Sequence, residues 1–314
     1  MTGISQTSMH FQKTFRAWLM MSRIPFHSVG VLPFCLGAML ARRTTGAFDW
    51  PVFLWGTLAV VLVMLATYYA GEHYDIEEDR LSARMGRNPF SGGSQAVVRD
   101  MVPLGHPKIG SYAALLLAGL IGLLLQFHYD TGPWTIPLGL AGMAMGFFYS
   151  TEPVRWVKRG IGEIFIGISY GWLPIAASFY LQTSTLTPMV HWMSLSVALS
   201  IFNVILINEF PDYPADLIRG KRNLTVRLGK KAASFVYAAA SIGGILSFPL
   251  PVLAGLPPSG ILLGLPVAAL SLFAASGMLR RRYEDRRALE RMCGISIVVN
   301  WLYALTYILW LQGA

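Results

Sequence analysis

A chain of 314 residues that is 54% hydrophobic and only 13% charged is not an ordinary soluble protein, since soluble domains carry about 25% charged residues. Mean hydropathy is +0.51 and net charge +9; the basic residues fall in short loops between long apolar runs, where they orient a polytopic membrane protein. No nucleic-acid fold signature or Arg-rich aromatic stripe accompanies them, so no nucleic-acid partner is expected.

Residues 1–23 form a basic, partly amphipathic lead-in carrying Lys13, Arg16 and Arg23. They lack the short apolar core and small-residue cleavage site of a secretory signal. Pro25 bends or starts the first span, at about 26–41, and the second covers 51–72. A long polar loop follows, about 76–107. Further spans are expected at about 108–127, 133–150, 161–181, 188–209, 232–254, 259–279 and 292–311. Each is near the ~20 residues needed to cross the hydrocarbon. The predicted fold is therefore all-α, a single domain over 1–314 with nine transmembrane helices, in two halves of about 1–150 and 151–314. Pro137, Pro174, Pro249 and Pro251 are placed to kink spans. Cys35 and Cys293 lie in apolar runs with neither a disulfide framework nor a metal spacing, which points to core packing.

With the amino terminus cytoplasmic, only Arg42 and Arg43 of the 25 Lys and Arg residues fall on the opposite side. That asymmetry supports the span count and leaves the carboxyl terminus outside. Of the 16 Asp and Glu residues, only Asp49 and Asp130 are not cytoplasmic. The chemistry is expected on the cytoplasmic face.

Two acidic motifs end apolar runs there. Glu72, Asp75 and Asp79 follow the spacing E-x-x-D-x-x-x-D, and Glu209, Asp212 and Asp216 repeat it. On a helix these offsets fall within an arc of about 60°, so each motif aims three carboxylates one way. Facing one another, the carboxylates would raise each other's pKa unless positive charge intervened. Oxygen-only ligands fit Mg²⁺ or Mn²⁺ better than Zn²⁺, and Mg²⁺ keeps positions open for substrate phosphate. A metal-bridged diphosphate is the ligand this pattern suggests.

Basic and polar residues follow each motif. After the first come Arg80, Arg84, Arg87, Asn88 and then Ser91-Gly92-Gly93-Ser94, whose hydroxyls and backbone N–H groups can serve an anion. After the second come Arg219, Lys221, Arg222 and Asn223; between the motifs, the stretch from Tyr149 carries Arg155, Lys158 and Arg159. Glu77 and Glu78 turn off the motif face toward solvent, and His73 reads as structural. Pro211 and Pro214 interrupt helical hydrogen bonding, which predicts a bent or unwound second motif.

These residues resemble the UbiA superfamily of intramembrane prenyltransferases over nearly the whole chain. The family pattern N-D-x-x-D-x-x-x-D corresponds to Gly71-Glu72-x-x-Asp75-x-x-x-Asp79, and the second pattern to Asn208-Glu209-x-x-Asp212-x-x-x-Asp216. Asn88-Pro89-Phe90-Ser91-Gly92-Gly93-Ser94, Gly160-Ile161-Gly162-Glu163 and the stretch from Gly220 to Gly229 are similar to the menaquinone-type (1,4-dihydroxy-2-naphthoate) branch. Gly71 and Glu72 depart from the family, which usually has Asn and Asp.

The resemblance implies a UbiA-type helical bundle that uses Mg²⁺ to transfer an isoprenyl group from a prenyl diphosphate to an aromatic or quinone-precursor acceptor. It implies Asp75, Asp79, Asp212 and Asp216 as catalytic metal ligands, joined by Glu72, Asn208 and Glu209. Arg87, Asn88, Ser91, Tyr149, Arg155, Lys158, Lys221 and Arg222 are the substrate-binding candidates. Tyr68, Tyr69, Phe147, Phe148, Phe165 and Tyr170 are candidates for lining a tail tunnel that reaches membrane lipid. Two other readings fit the same composition. One is a cation-coupled transporter with intramembrane carboxylates. The other is a prenyl-lipid-binding relative that has lost catalysis, motivated by Gly71 and Glu72.

Overall fold

In lipid, backbone polar groups must be satisfied within the chain, and helices achieve this segment by segment. A computed structural model describes residues 2–85 and 88–313, with side chains described from residue 12 onward; among the described residues there is no strand. Helix α1 (Thr2–Ser22) stops at Arg23, whose φ is +45°, and a 3₁₀ turn over Ile24–His27 leads into α2 (Ser28–Thr45). The expected break at Pro25 is thus present. Ala17 and Met21 of α1 are fully buried with Tyr69 and Ile76, while Phe15 and Leu19 are exposed, as an amphipathic lead-in requires.

Asp49 starts α3 (Trp50–Tyr74) by accepting the Val52 N–H at 2.9 Å, with Pro51 in the first turn. The expected polar loop holds α4 (Ile76–Arg84) and, over 88–104, turns and irregular chain leading to α5 (Gly105–Phe127). Helix α6 spans Thr135–Ser150. A π-helical turn, Gly167–Trp172, joins α7 (Gly162–Ile166) to α8 (Leu173–Thr183). Thr187 and Pro188 open the longest helix, α9 (Pro188–Ile218). Helices α10 (Leu224–Ser247), α11 (Leu265–Leu279) and α12 (Arg286–Gly313) complete the bundle.

Eight helical segments among the described residues are long and apolar enough to cross a membrane. The ninth expected span is α6. Its 16 residues reach about 24 Å at 1.5 Å per residue, short of a hydrocarbon core of about 30 Å.

The proline expectation for the second motif is corrected. Helix α9 runs unbroken through Pro211 and Pro214. Each proline forfeits one backbone bond in the last turns of a helix that packs along α10 and α12, and tertiary packing carries it across. The break falls in the first motif instead. Asp75 (φ −100°, ψ 13°) ends α3 and begins α4.

Large side chains fill the interior. Leu36, Ile175, Met193 and Trp310 join α2, α8, α9 and α12, and Phe210, Tyr237, Met278 and Cys293 join α9 to α12. Cys293 is thus a core thiol. Hydrogen bonds stitch the same helices in the absence of a hydrophobic drive between them: Asn300 to Ser200 at 2.9 Å and Asn203 to Ser241 at 2.9 Å. Glycine sets the closest approach, since a Cβ on Gly171 would lie 2.3 Å from the Ala198 Cα. Gly171→Val is expected to destabilise the protein by about 1–3 kcal/mol through overpacking, read as a lower unfolding temperature in detergent. Gly119→Ala, whose Cβ would meet only Met143 at 4.0 Å, is expected to be neutral. Equal stability of the two variants would contradict this packing account.

Candidate active site

Both acidic motifs open onto one cavity of about 210 Å³ at the helix ends, and Asp75, Asp79, Asn208, Glu209, Asp212 and Asp216 all face it. The turn at Asp75 lets the first motif pass from α3 to α4 while keeping its amide bonds: the Asp75 N–H reaches the Gly71 carbonyl and the Asp79 N–H the Asp75 carbonyl, both at 2.9 Å. The second motif stays on α9.

The Ser91–Ser94 loop ties the two motifs together, differently from the expectation that its N–H groups serve an added anion. The Gly92 N–H donates to Asp212 at 3.1 Å, and the Ser94 N–H and hydroxyl donate to the two Glu72 oxygens at 2.6 and 2.7 Å. The anions bound here are the motifs' own carboxylates. Gly92 and Gly93 both have positive φ. A Cβ on Gly93 would lie 2.0 Å from an Asp79 oxygen, so the loop backbone touches the first motif directly. Ser82 of α4 adds a second cross-link, donating to Asp212 at 2.7 Å.

The remaining carboxylates are also engaged. Asp75 accepts from Ser150 at 2.6 Å and pairs with Arg155 at 2.9 Å. Asp216 accepts from Asn223 at 2.7 Å and lies 3.7 Å from the Lys221 ammonium. Glu72, 2% exposed, meets Arg23 at 3.2 Å. It therefore holds the loop and the lead-in helix together, and a Cβ on Gly71 would meet Asp75 and Ser150 at ordinary contact distance, 3.9 Å. Glu209 accepts the Thr225 N–H at 3.1 Å at the start of α10.

The substrate-binding candidates divide. Ser91, Tyr149 and Lys221 line the cavity. Arg155 and Lys158 instead grip the outer side of the first motif, at 3.2 and 3.5 Å from Glu78. Glu78 is buried by this pairing, contrary to the solvated position expected for it; Glu77 is exposed. Asn88 is buried, and its side-chain oxygen caps the Phe90 N–H at 2.8 Å. Arg222 is exposed. Arg87 lies outside the described residues. His73 bonds the Leu104 carbonyl at 2.8 Å, a structural role. Of the aromatic candidates, Tyr68 and Tyr170 line the cavity. Tyr69 bonds Ser22 at 2.8 Å, Phe147 meets Phe148 edge to face and Phe165 packs on Trp156.

Arg23, noted only in the lead-in, and Asn223, noted after the second motif but not among the substrate-binding candidates, also face the cavity. Arg23 is one cation in a lead-in helix far from either motif in sequence. Asn223 carries the helix-start signal of an Asn before an apolar run and does cap α10, through the Val226 N–H at 2.9 Å.

The charge balance is negative. Burial, then Glu72 and Asp75, hold the Asp79 carboxyl well above the usual carboxylate range, despite Arg23 and Lys221. Burial opposes the charge on Lys221, yet Asp216 and Asp75 outweigh it and keep the ammonium well above its ordinary pKa. Arg155 behaves likewise, with Asp75 and Glu78 overcoming burial. A divalent cation suits this site. Its donors are oxygens, its charge is uncompensated, and the buried Asn208 carbonyl oxygen has no hydrogen-bond donor. Among the described residues no three His, Cys, Asp or Glu side chains form a ready-made cluster. An ion that takes one or two carboxylates and leaves room for phosphate and water needs none.

A second, apolar chamber of about 120 Å³ adjoins the cavity. It lies between α2, α3, α5, α6 and α8, and Thr67 and Tyr170 line both spaces. On α3 its wall runs from Gly56 to Thr67, about 16 Å at 1.5 Å per residue.

Residues 31–297 match the UbiA prenyltransferase family. The chain belongs to this family. It is 27% identical over 242 residues to the 2-carboxy-1,4-naphthoquinone phytyltransferase of Synechocystis sp., covering 76% of this chain and 75% of that one. It is 26% identical over 298 residues to the 1,4-dihydroxy-2-naphthoate octaprenyltransferase of Mycobacterium tuberculosis, covering 93% and 96%. In fold it is similar to a UbiA homologue from Archaeoglobus fulgidus bound to GPP and Mg²⁺, with a TM-score of 0.64 at 15% identity over 93% of this chain and 99% of that one. The protein is a UbiA prenyltransferase, an integral multi-pass membrane enzyme, and its resemblance to the menaquinone-type branch holds. The transporter alternative is set aside.

Gly93→Ala tests the loop contact. Its Cβ would collide with Asp79 at a positive φ, a strain of about 1–3 kcal/mol for the backbone alone. Turnover of the UbiA enzyme is expected to fall at least about tenfold in protein that still folds, with an unfolding temperature lower by several degrees. Wild-type turnover would show that the loop does not set Asp79.

Proposed function

We propose that this enzyme transfers an isoprenyl group from a prenyl diphosphate to an aromatic, naphthoate-type quinone precursor within the membrane, using Mg²⁺. The observation that carries this reading is the adjacency of a carboxylate-rich cavity and an apolar chamber, which share Thr67 and Tyr170 in their walls. A substrate with an anionic head and an apolar tail fits both at once. The names of the naphthoquinone and naphthoate relatives support the acceptor class.

In this reading Asp75, Asp79, Asp212 and Asp216 would supply the metal's oxygen ligands, one or two to each ion, with Asn208 as a neutral ligand. When bound, Mg²⁺, or Mn²⁺ in its place, supplies positive charge to the departing diphosphate. Lys221, Ser91 and Tyr149 face that diphosphate. The Lys221 ammonium stays charged throughout, because the carboxylates hold its proton. Arg155 and Lys158 act at one remove, fixing Asp75 and Glu78. Glu72 and Glu209 hold the Ser91–Ser94 loop and the start of α10. Arg222, which is exposed, and Arg87 add positive charge that attracts the anionic donor, while Asn88 braces the loop through the Phe90 N–H.

The carbon–oxygen bond at the donor's first carbon breaks, and its electron pair leaves with the diphosphate. A ring carbon of the acceptor forms the new carbon–carbon bond and then releases its leaving group, a proton where it carried hydrogen. Positive charge on the donor carbon develops beside Tyr68 and Tyr170, which line the cavity and whose aromatic rings can stabilise a cation. The apolar chamber receives the tail, and membrane lipid surrounds it. The asymmetry of basic residues supports a cytoplasmic amino terminus and site, with the carboxyl terminus outside. The two halves of the chain act as one catalytic unit.

Purified protein given prenyl diphosphates of several lengths, 1,4-dihydroxy-2-naphthoate and Mg²⁺ is expected to form a prenylated product identifiable by mass. Asp75→Ala and Asp212→Ala are each expected to lower turnover by at least about 100-fold, on the scale of a lost transition-state charge contact. Full turnover in folded variants would overturn the metal roles. Binding of donor without product would favour the catalysis-lost alternative.

Mg²⁺ binding should also release protons. The Asp79 carboxyl is held well above its ordinary range, and a cation bound beside it would favour the ionised form. Apparent Mg²⁺ affinity therefore rises with pH. Calorimetry in buffers of different ionisation enthalpy reads this directly. Asp79→Asn is expected to remove most of the effect, and an unchanged proton count would contradict it.

A further inference from the structure

The stretch Gly160-Ile161-Gly162-Glu163 has no part in the mechanism above, yet it ends in a carboxylate that is only 1% exposed. A buried acid in a membrane protein is costly unless it is bonded to something that matters. Glu163 accepts the Leu224 N–H at 2.8 Å. The next amide, Thr225, donates to Glu209 at 3.1 Å, and the one after it, Val226, to the Asn223 side chain at 2.9 Å. The first three N–H groups of α10 have no helical partner of their own. Here they go to acceptors on α7, on α9 and on the capping residue.

This arrangement fixes the short strap between α9 and α10. Asn223 reaches Asp216 at 2.7 Å, and Lys221 stands 3.7 Å from the same carboxylate. Both residues face the cavity. The loop before Glu163 presses on the strap as well. Gly160 has φ +67°, and a Cβ there would lie 2.3 Å from the Arg227 side chain and 3.2 Å from the Arg222 carbonyl oxygen.

We infer that Glu163 is a positioning residue for diphosphate binding. By holding the first amide of α10, it sets where the 220–225 strap sits and so where Lys221 and Asn223 meet the substrate. The inference rests on the proposed donor and names the residue that orders that donor's cationic partner. It also explains why a carboxylate suits position 163. Aspartate is one methylene too short to reach Leu224 from the same backbone. Glutamine keeps an acceptor for Leu224 and turns an NH₂ toward Glu209, whose carboxyl group lies alongside.

The test is the dissociation constant of geranyl diphosphate with Mg²⁺, measured on the full chain in detergent. Glu163→Ala and Glu163→Asp are expected to weaken binding about tenfold, the scale of one hydrogen bond to a charged group. Glu163→Gln should stay within about twofold of wild type, a difference of a few tenths of a kcal/mol. Lys221→Met weakens binding by itself, and adding Glu163→Ala to it should cost little more, because the two act through one contact. A general loss of stability would instead add to the Lys221 effect and would not be rescued by glutamine. If wild type binds and both the Ala and Asp variants bind equally well, or if the double variant is additive, Glu163 has no positioning role. If the Ala variant does not fold, the Asp and Gln variants decide the matter by the same criterion. If wild type itself does not bind, the donor reading falls and this inference falls with it.

Discussion

Several carboxylates crowded into one partly enclosed cavity are the constraint around which this protein is built. Their mutual repulsion grows as water is excluded, and an acid in such company either gains a donor, pairs with a cation or keeps its proton. The structure uses all three means. Asp212 takes a backbone amide and a serine hydroxyl, Asp75 takes Ser150 and Arg155, and Asp216 takes Asn223 with Lys221 close by. Asp79 remains under-compensated, and its raised pKa records the deficit. A site that stays short of positive charge until its ligand arrives is suited to bind a cation and an anion together.

The surrounding fold follows from that need. Helix α9 presents its motif without interruption, whereas the first motif turns a corner at Asp75 and continues on α4. The Ser91–Ser94 loop and Ser82 then bridge the two motifs, so neither can move without the other. Away from the charges the same helices are packed through apolar side chains and interhelical Ser and Asn bonds, and that part of the bundle encloses the tail chamber. Charge is concentrated at one end and apolar volume lies behind it, as an amphiphilic diphosphate requires.

Much of this was legible in the sequence because the signals were local. Apolar runs of membrane length give the spans, with α6 present but shorter than expected. The repeated acid spacing and the basic residues that follow it identify the site. What could not be read depends on contacts between distant segments. Glu72 fits the motif pattern, yet its oxygens are taken by Ser94 and Arg23. Glu78 sits off the motif face by helical arithmetic and is buried because Arg155 and Lys158 close over it. The prolines of the second motif looked like breakers, but packing on α10 and α12 overrides them, and the break appears at Asp75, which no residue type announces. Gly93 needs to be glycine because of Asp79, a neighbour 14 positions away in the chain.

The central claim is that a divalent ion joins the two acidic motifs across the cavity. An anomalous difference map from crystals of the protein with Mn²⁺ and geranyl diphosphate tests it most directly. The expected result is density between the Asp75–Asp79 pair and the Asp212–Asp216 pair, in contact with the diphosphate. Density confined to one motif, or elsewhere on the protein, would contradict it.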